Sequence, residues 1–417
     1  MTGIPTRQME REHFLDVLRG FALLGIFIAN LAHLSMYKFI GKLLPNGIYS
    51  SFDGSMEFLH TMLIEGKFYT IFSLLFGWGL ALQMQRLSDQ DLNPLVLIKR
   101  RIWAMLLLGL IHLFLVWPGD IVAFYAMMAF VLLLFRNSSG KKLLWWGACL
   151  VLSPIILYFA KMQWQWLNAP AFLLRETGIW VDVHLNHLSE NDPGPNPANT
   201  KTWIEIWSLN LGGAPFRYAY LLFVSRIPKV LGVFLIGFYL GRNGRYKKIL
   251  SDKPLLLKLA MAGYILGLPA NYMLAHFSSY GEYFQLKMNG WYQTISYAFG
   301  VVPLGIAYAS TLALAFQSNA LRKFLMLLQP VGKMAFSNYM MQSLVAIFTF
   351  YGVGLGKGGT LGPTAWTLYA LAVFLFQILF SYTWLRFFHF GPVEWLWRSM
   401  TYRKWQPFRK TGTVVEV

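Results

Sequence analysis

His112 and Asp120 flank the turn Trp117-Pro118-Gly119, and their residue types are those that move protons. An imidazole titrates near neutrality, so it can take a proton from a hydroxyl or amine and later return it. A carboxylate against the ring would orient it and stabilise its protonated form, as in a catalytic triad. Plainer roles exist for both: Asp120 can cap the helix that follows the turn, and His112 can link two helices by a buried hydrogen bond. Asn30 and His33 are three residues apart and so share one face of any helix that carries them. Asn30 could hold a carbonyl or face its oxyanion. His33 offers a second imidazole, or an interfacial side chain. Tyr125 offers a hydroxyl donor, or a core aromatic.

A second set is basic. Arg19, Arg86, Arg100 and Arg101 fall at the ends of apolar runs, with Asp16 one turn from Arg19. Such a cluster suits the phosphates of a nucleotide thioester and equally the headgroups of anionic lipids. The remaining polar groups read as structural. Glu65 and Lys67 form a local ion pair, and Glu394 and Arg398 stand at helical ion-pair spacing. Ser337, Asn338 and Gln342 either line a cavity or hold a neighbouring helix through Gln377. His184 and His187, with Asp182 and Glu190 nearby, lack the further ligands and the regular element that a metal site needs, so no metal is expected. No nucleotide-binding loop, dinucleotide glycine pattern or metalloprotease motif appears in a plausible context.

The elements that must position these groups are written in the composition. Of 417 residues, 56% are hydrophobic and only 13% charged, half the charged share of an ordinary soluble domain. Charge-free runs such as 20–37, 102–119 and 259–281 are about as long as a bilayer-spanning helix requires. None alternates as a barrel strand would. The expected fold is therefore all-α: a polytopic transmembrane bundle with spans near 16–36, 58–85, 101–117, 120–135, 143–160, 226–241, 255–276, 290–316, 331–353 and 364–388. Lys and Arg favour alternate connections by about 22 to about 8, which places both termini on the cytoplasmic side. The formal charge of +18 thus reads as anchoring among membrane lipids rather than nucleic-acid binding. Between the five-span regions 1–160 and 226–417 lies a polar, Pro- and Asn-rich segment, 161–225. Its Trp-rich flanks read as interfacial helices on the extracytoplasmic side. The segment after Arg19 runs on as a full span, so no cleaved signal peptide is expected. Cys149, the single cysteine, falls inside a span as a buried thiol.

Four stretches resemble the YeiB-like family of bacterial membrane proteins: LDVLRGFALLGIFIAN (15–30), GKFYTIFSLLFGWG (66–79), IHLFLVWPGDIVAFYA (111–126) and VGKMAFSNYMMQS (331–343). The tail GPVEWLWRSMTY (391–402) is similar to that family's C-terminal signature. This resemblance implies a multi-pass protein of the bacterial cytoplasmic (inner) membrane and no particular reaction. LDVLRG also resembles the first-span motif of two transmembrane acyltransferase families, the acyltransferase-3 proteins and the heparan-α-glucosaminide N-acetyltransferases. It implies an acyl-CoA donor on the cytoplasmic side and an envelope glycan or lipid acceptor on the other. Where Asn30 stands, the first family usually has histidine and the second asparagine. Transport or lipid handling without catalysis is the alternative, since it needs the same polar groups in a bundle.

Overall fold

The computed structural model describes residues 13–40, 44, 46–89, 93–188, 197–278 and 281–410. Arg7, Arg11 and Glu190, used in reading sidedness and the histidine pair, lie outside the described residues. Helices dominate, and no β-strand occurs among the described residues beyond two isolated bridges, Ile48 with Leu361 and Phe388 with Arg409. In chain order, α1 (His13–Leu34) and the single turn α2 (Tyr37–Ile40) precede α3 (Asp53–Leu63) and α4 (Lys67–Ser88). Next come α5 (Pro94–Leu115), α6 (Val122–Leu134), α7 (Gly140–Gln163) and α8 (Ala169–His184). Then follow α9 (Trp203–Phe223), α10 (Arg226–Gly241), the short α11 (Arg245–Ser251), α12 (Lys253–Ser278) and α13 (Met288–Gln317). The chain closes with α14 (Asn319–Leu325), α15 (Gln329–Lys333), α16 (Ala335–Phe350), α17 (Pro363–Phe387) and α18 (Pro392–Tyr402).

Five helical stretches are long and apolar enough to cross a membrane: His13–Phe39, α7, α12, α13 and α17. A sixth crossing is available to α9 with α10 and α11, a pair bent by 72°. The other four expected spans do not meet that standard, and each has a physical reason. The 58–85 segment breaks at 64–66 into α3 and α4, where Gly66 takes φ +84°, a conformation costly for any side chain. Though 22 residues long, α4 includes Lys67, Gln83, Gln85 and Arg86 and is not apolar enough by itself. The first turns of α5 carry Lys99, Arg100 and Arg101. At 13 residues, α6 measures about 20 Å, and α16, at 16 residues, about 24 Å.

Burial separates the helices that face lipid from the one they surround. The apolar window of α1 is 78% buried, against 28% for α7, α12 and α17. Ile156, Ile265 and Leu379 expose most of their surface on those three outer helices. In an aqueous protein such a belt would be an aggregation surface, whereas against lipid it costs nothing. Within the bundle, α4 packs on α10 through two glycines. A Cβ at Gly77 would strike the Phe234 carbonyl, and one at Gly237 the Leu74 carbonyl, so the backbones touch reciprocally. Gly79, further along α4, faces the Arg19 guanidinium.

Polar side chains hold the shorter helices in place. Lys67 Nζ donates to the Thr61 carbonyl at 2.5 Å, closing the C-terminus of α3. The expected Glu65–Lys67 ion pair is therefore replaced by a helix cap, because the break at Gly66 folds the lysine back over α3. Gln342 Nε2 donates to Gln377 Oε1 at 2.9 Å, Gln377 Nε2 to the Asn338 carbonyl, and Asn338 Nδ2 to Ser381 Oγ. This ladder rivets α16 to α17. Glu394 on α18 caps α16: its Oε1 accepts from the Phe336 and Ser337 amides, at 2.7 and 3.2 Å. Its Oε2 accepts from Ser337 Oγ.

Candidate functional site

Two contacts fix how α1 and α4 run. Asn30 meets Tyr69, and eleven residues earlier Arg19 lies against Gly79, so the helices are antiparallel. One end of the bundle therefore gathers Arg19, Arg86 and Arg101, with the 242–253 connection. The opposite end carries the 117–120 turn and the 161–225 segment. At that second end the helices separate around a cavity of about 1360 Å³.

Its walls come from α1, α3, α4, α8, α9 and the start of α10. Asn30 and His33 both line it from one face of α1. Asn30 Oδ1 accepts a hydrogen bond from Tyr69 OH, which leaves the amide N–H groups as its remaining donors. Three residues on, the His33 ring is exposed to the cavity and lies 6.0 Å from Phe39, centre to centre. Tyr125 also reaches the cavity, and its hydroxyl meets Ser73 Oγ at 2.5 Å. Glu65 lines the same cavity.

His112 and Asp120 form the pair their spacing suggested: Nδ1 lies 2.9 Å from Asp120 Oδ1, and both side chains are fully buried. A carboxylate only accepts, so Nδ1 carries a proton toward Asp120 and Nε2 is the ring's other polar atom. That Nε2 is buried without a hydrogen-bond partner. Asp120 Oδ2 accepts from the Ala123 amide at 2.6 Å, so Asp120 also caps α6. His112 does not, however, share the cavity that Asn30 lines. Trp117, Gly119 and Ile121 supply the wall, and His112 sits behind it with its ring 5.1 Å from that of Tyr339. The turn carries the backbone past the cavity and directs both side chains of the pair into the α5–α6 interface.

The basic cluster is also separate from the cavity. Arg19 Nη1 donates to Asp16 Oδ1 at 2.7 Å, and Arg101 stacks on Trp397 with its guanidinium carbon 3.6 Å from the ring centre. Neither these nor Arg86 and Arg100 line it, and about 16 Å of helix separates Arg19 from Asn30. In the 161–225 segment, His184 Nδ1 contacts the Trp180 carbonyl at 2.9 Å, and Asp182 accepts from Asn186. Burial against the cavity wall raises the Asp182 carboxyl above its ordinary range, opposed by the Asn186 bond. Among the described residues no group of three His, Cys, Asp or Glu side chains is placed to hold a metal.

Two functional candidates escaped the sequence reading, Arg217 and Arg226, which line the cavity from α9 and the first turn of α10. The signal was present: both interrupt the apolar run APFRYAYLLFVSRIP, where a charge is costly and calls for a reason.

Residues 240–404 match the model of a protein family of unknown function, DUF418. The chain is 33% identical to the uncharacterised protein YxaH of Bacillus subtilis (strain 168), over 98% of its own length and 99% of the relative's. To the uncharacterised protein YeiB of Escherichia coli (strain K12) it is 27% identical, over 95% and 97%. An uncharacterised 39.9 kDa protein from the amylase 3′ region of Bacillus acidopullulyticus is 28% identical over 95% of each chain. No solved structure matches. With full-length similarity at this level and apolar helices long enough to cross a bilayer, the chain belongs to the uncharacterised YeiB-like family of membrane proteins.

Proposed function

We propose that this protein transfers an acyl group from a cytoplasmic acyl-CoA to a hydroxyl or amine acceptor held in the cavity, on the extracytoplasmic face of the bacterial inner membrane. The observation that carries this reading is the pairing, in one cavity, of a solvent-reached imidazole with an amide whose oxygen is already engaged. His33 would take the proton of the acceptor as its oxygen or nitrogen attacks the thioester carbonyl carbon. Asn30 N–H groups, fixed by Tyr69, would face the oxyanion that forms. The carbon–sulfur bond then breaks, and the thiolate recovers the proton from His33, giving acylated acceptor and free CoA thiol. His112 and Asp120 act as positioning residues in this scheme, setting the wall between Trp117 and Ile121. Arg19, Arg86, Arg100 and Arg101 would meet the donor's phosphates at the opposite end.

The scheme places ten crossings between two cytoplasmic termini. Of the four helices that fall short as independent spans, α4 exposes none of its side chains from Lys67 to Met84. A helix surrounded by protein need not be apolar all round. Calorimetric titration of the purified protein in neutral detergent tests the donor site. Acyl-CoA should give saturable heat, and Arg86→Ala or Arg100→Ala should weaken binding about tenfold, about 1.4 kcal/mol. Absence of heat with both acetyl- and longer acyl-CoA would favour the second reading, transport or lipid handling. The 72° break between α9 and α10 supports that reading, because transporters bind solutes at such interrupted helices.

A further inference from the structure

The break between α9 and α10 brings two arginines to a cavity whose lining carries Lys38, Arg175, Arg217 and Arg226 along with Glu57, Glu65, Asp182 and Glu205. Arg226, the first residue of α10, and Arg217 on α9 both line it. Among the described residues neither guanidinium forms an ion pair with a carboxylate. Arg226 Nη1 donates to Tyr297 OH at 2.7 Å, and the guanidinium lies over the same ring. Arg217 Nε is buried with no hydrogen-bond partner. Glu65 lines the same cavity without reaching ion-pair distance of either arginine.

Further basic groups lie behind the break. Lys161 Nζ donates to the Leu222 and Phe223 carbonyls, at 2.9 and 2.8 Å, and takes up the electronegative end of α9. The electropositive end of α10 has no such compensation and adds to the charge at Arg226. Lys229, buried one turn further on, lies with Nζ 4.0 Å from the centre of the Tyr297 ring. Fixed cations in a weakly polar setting are expensive unless an anion joins them. Guanidinium groups favour oxyanions that can accept two parallel hydrogen bonds. The rest of the cavity wall is largely apolar, with Trp117, Phe124, Phe216 and Trp366, and its other charged groups, Lys38, Glu57, Arg175, Asp182 and Glu205, come from outside the α9–α10 break.

We propose that Arg217 and Arg226 form a binding site for a phosphate-bearing ligand, whose phosphate sits at the α9–α10 break and whose body lies along the apolar wall. This gives the acceptor a chemical class. It rests on the cavity being the ligand site, not on acyl transfer, and its test contains no acyl donor, so either reading can fail alone.

The experiment titrates full-length protein in neutral detergent with three probes: dihexanoylphosphatidic acid, the uncharged dihexanoylglycerol, and inorganic phosphate. Phosphatidic acid should bind at least tenfold more tightly than dihexanoylglycerol, and more weakly as salt is raised. Arg217→Gln and Arg226→Gln should each weaken it at least tenfold. The charge-keeping Arg217→Lys and Arg226→Lys should lose less, since they sacrifice only the forked geometry. Binding of phosphatidic acid without binding of inorganic phosphate assigns the site to a lipid headgroup. Comparable binding of inorganic phosphate assigns it to a soluble phosphate compound. The proposal is overturned if no phosphate probe binds, if dihexanoylglycerol binds equally well, or if folded Gln variants bind unchanged. The salt dependence of the unaltered protein serves the same purpose should the variants not fold.

Discussion

At the scale of single residues, the two imidazoles divide a role that sequence spacing alone assigned to His112. His33 is reached from the cavity, while His112 is sealed behind Trp117, Gly119 and Ile121, with Nδ1 against Asp120 and Nε2 unpartnered. Substitution separates them. His33→Ala and His33→Gln should both cut acyl transfer about 100-fold or more, the usual scale for a lost general base, with little change in melting temperature. His112→Ala leaves a buried carboxylate short of its partner and should destabilise by about 3 kcal/mol. His112→Gln can still donate to Asp120 and should keep turnover within a few-fold of the unaltered protein. A folded His112→Gln protein as inactive as the alanine variant would return the base to His112. The His112–Asp120 contact was legible because a tight connection, 116–121, brings the last turn of α5 beside the residues that open α6. Which way the pair points was not, since that depends on how α5 and α6 rotate against α16.

At the scale of elements, Glu394 shows how the C-terminal motif works. GPVEWLWRSMTY and VGKMAFSNYMMQS are far apart in sequence, and their joint meaning is one helix cap: the α18 carboxylate closes the free amides of α16. Glu394→Gln keeps the shape but exchanges charge-assisted hydrogen bonds for neutral ones. Stability should fall by about 1–2 kcal/mol, read as a lower melting temperature. Turnover per folded molecule should stay unchanged, because the cap lies away from the cavity. The i,i+4 spacing of Glu394 and Arg398 pointed to a pair within the helix, since spacing sees only the helix's own neighbours. The long helices α7, α12, α13 and α17 were legible as unbroken apolar runs. The α3–α4 break was hidden because Glu65 and Lys67 read as an interfacial pair, with nothing to mark the backbone reversal at Gly66. Arg217 and Arg226 were hidden for a related reason: an arginine within apolar sequence faces either a cavity or an interface, and only packing decides.

At the scale of the whole molecule, the central α1, the glycine contact of α4 with α10, and the cavity at the 161–225 end describe a bundle with two dissimilar ends. In the proposed orientation, with the Lys- and Arg-rich end cytoplasmic, the cavity opens outside the cell. Single cysteines at Thr177 and Lys247, in a Cys149→Ala background, test this with an impermeant thiol reagent on intact cells. The position in the 161–225 segment should label from outside, and the position in the basic connection only after lysis. The reverse pattern would turn the bundle over and put the cavity on the cytoplasmic face. The most direct measurement for the central claim is release of CoA thiol by reconstituted proteoliposomes, with acyl-CoA supplied at the basic end and hydroxyl or amine acceptors at the cavity end. Acceptor-dependent thiol release, matched by acylated acceptor and lost in His33→Gln, is the expected result. Thiol release that ignores both acceptor and His33, or none at all from protein that binds acyl-CoA, would contradict it.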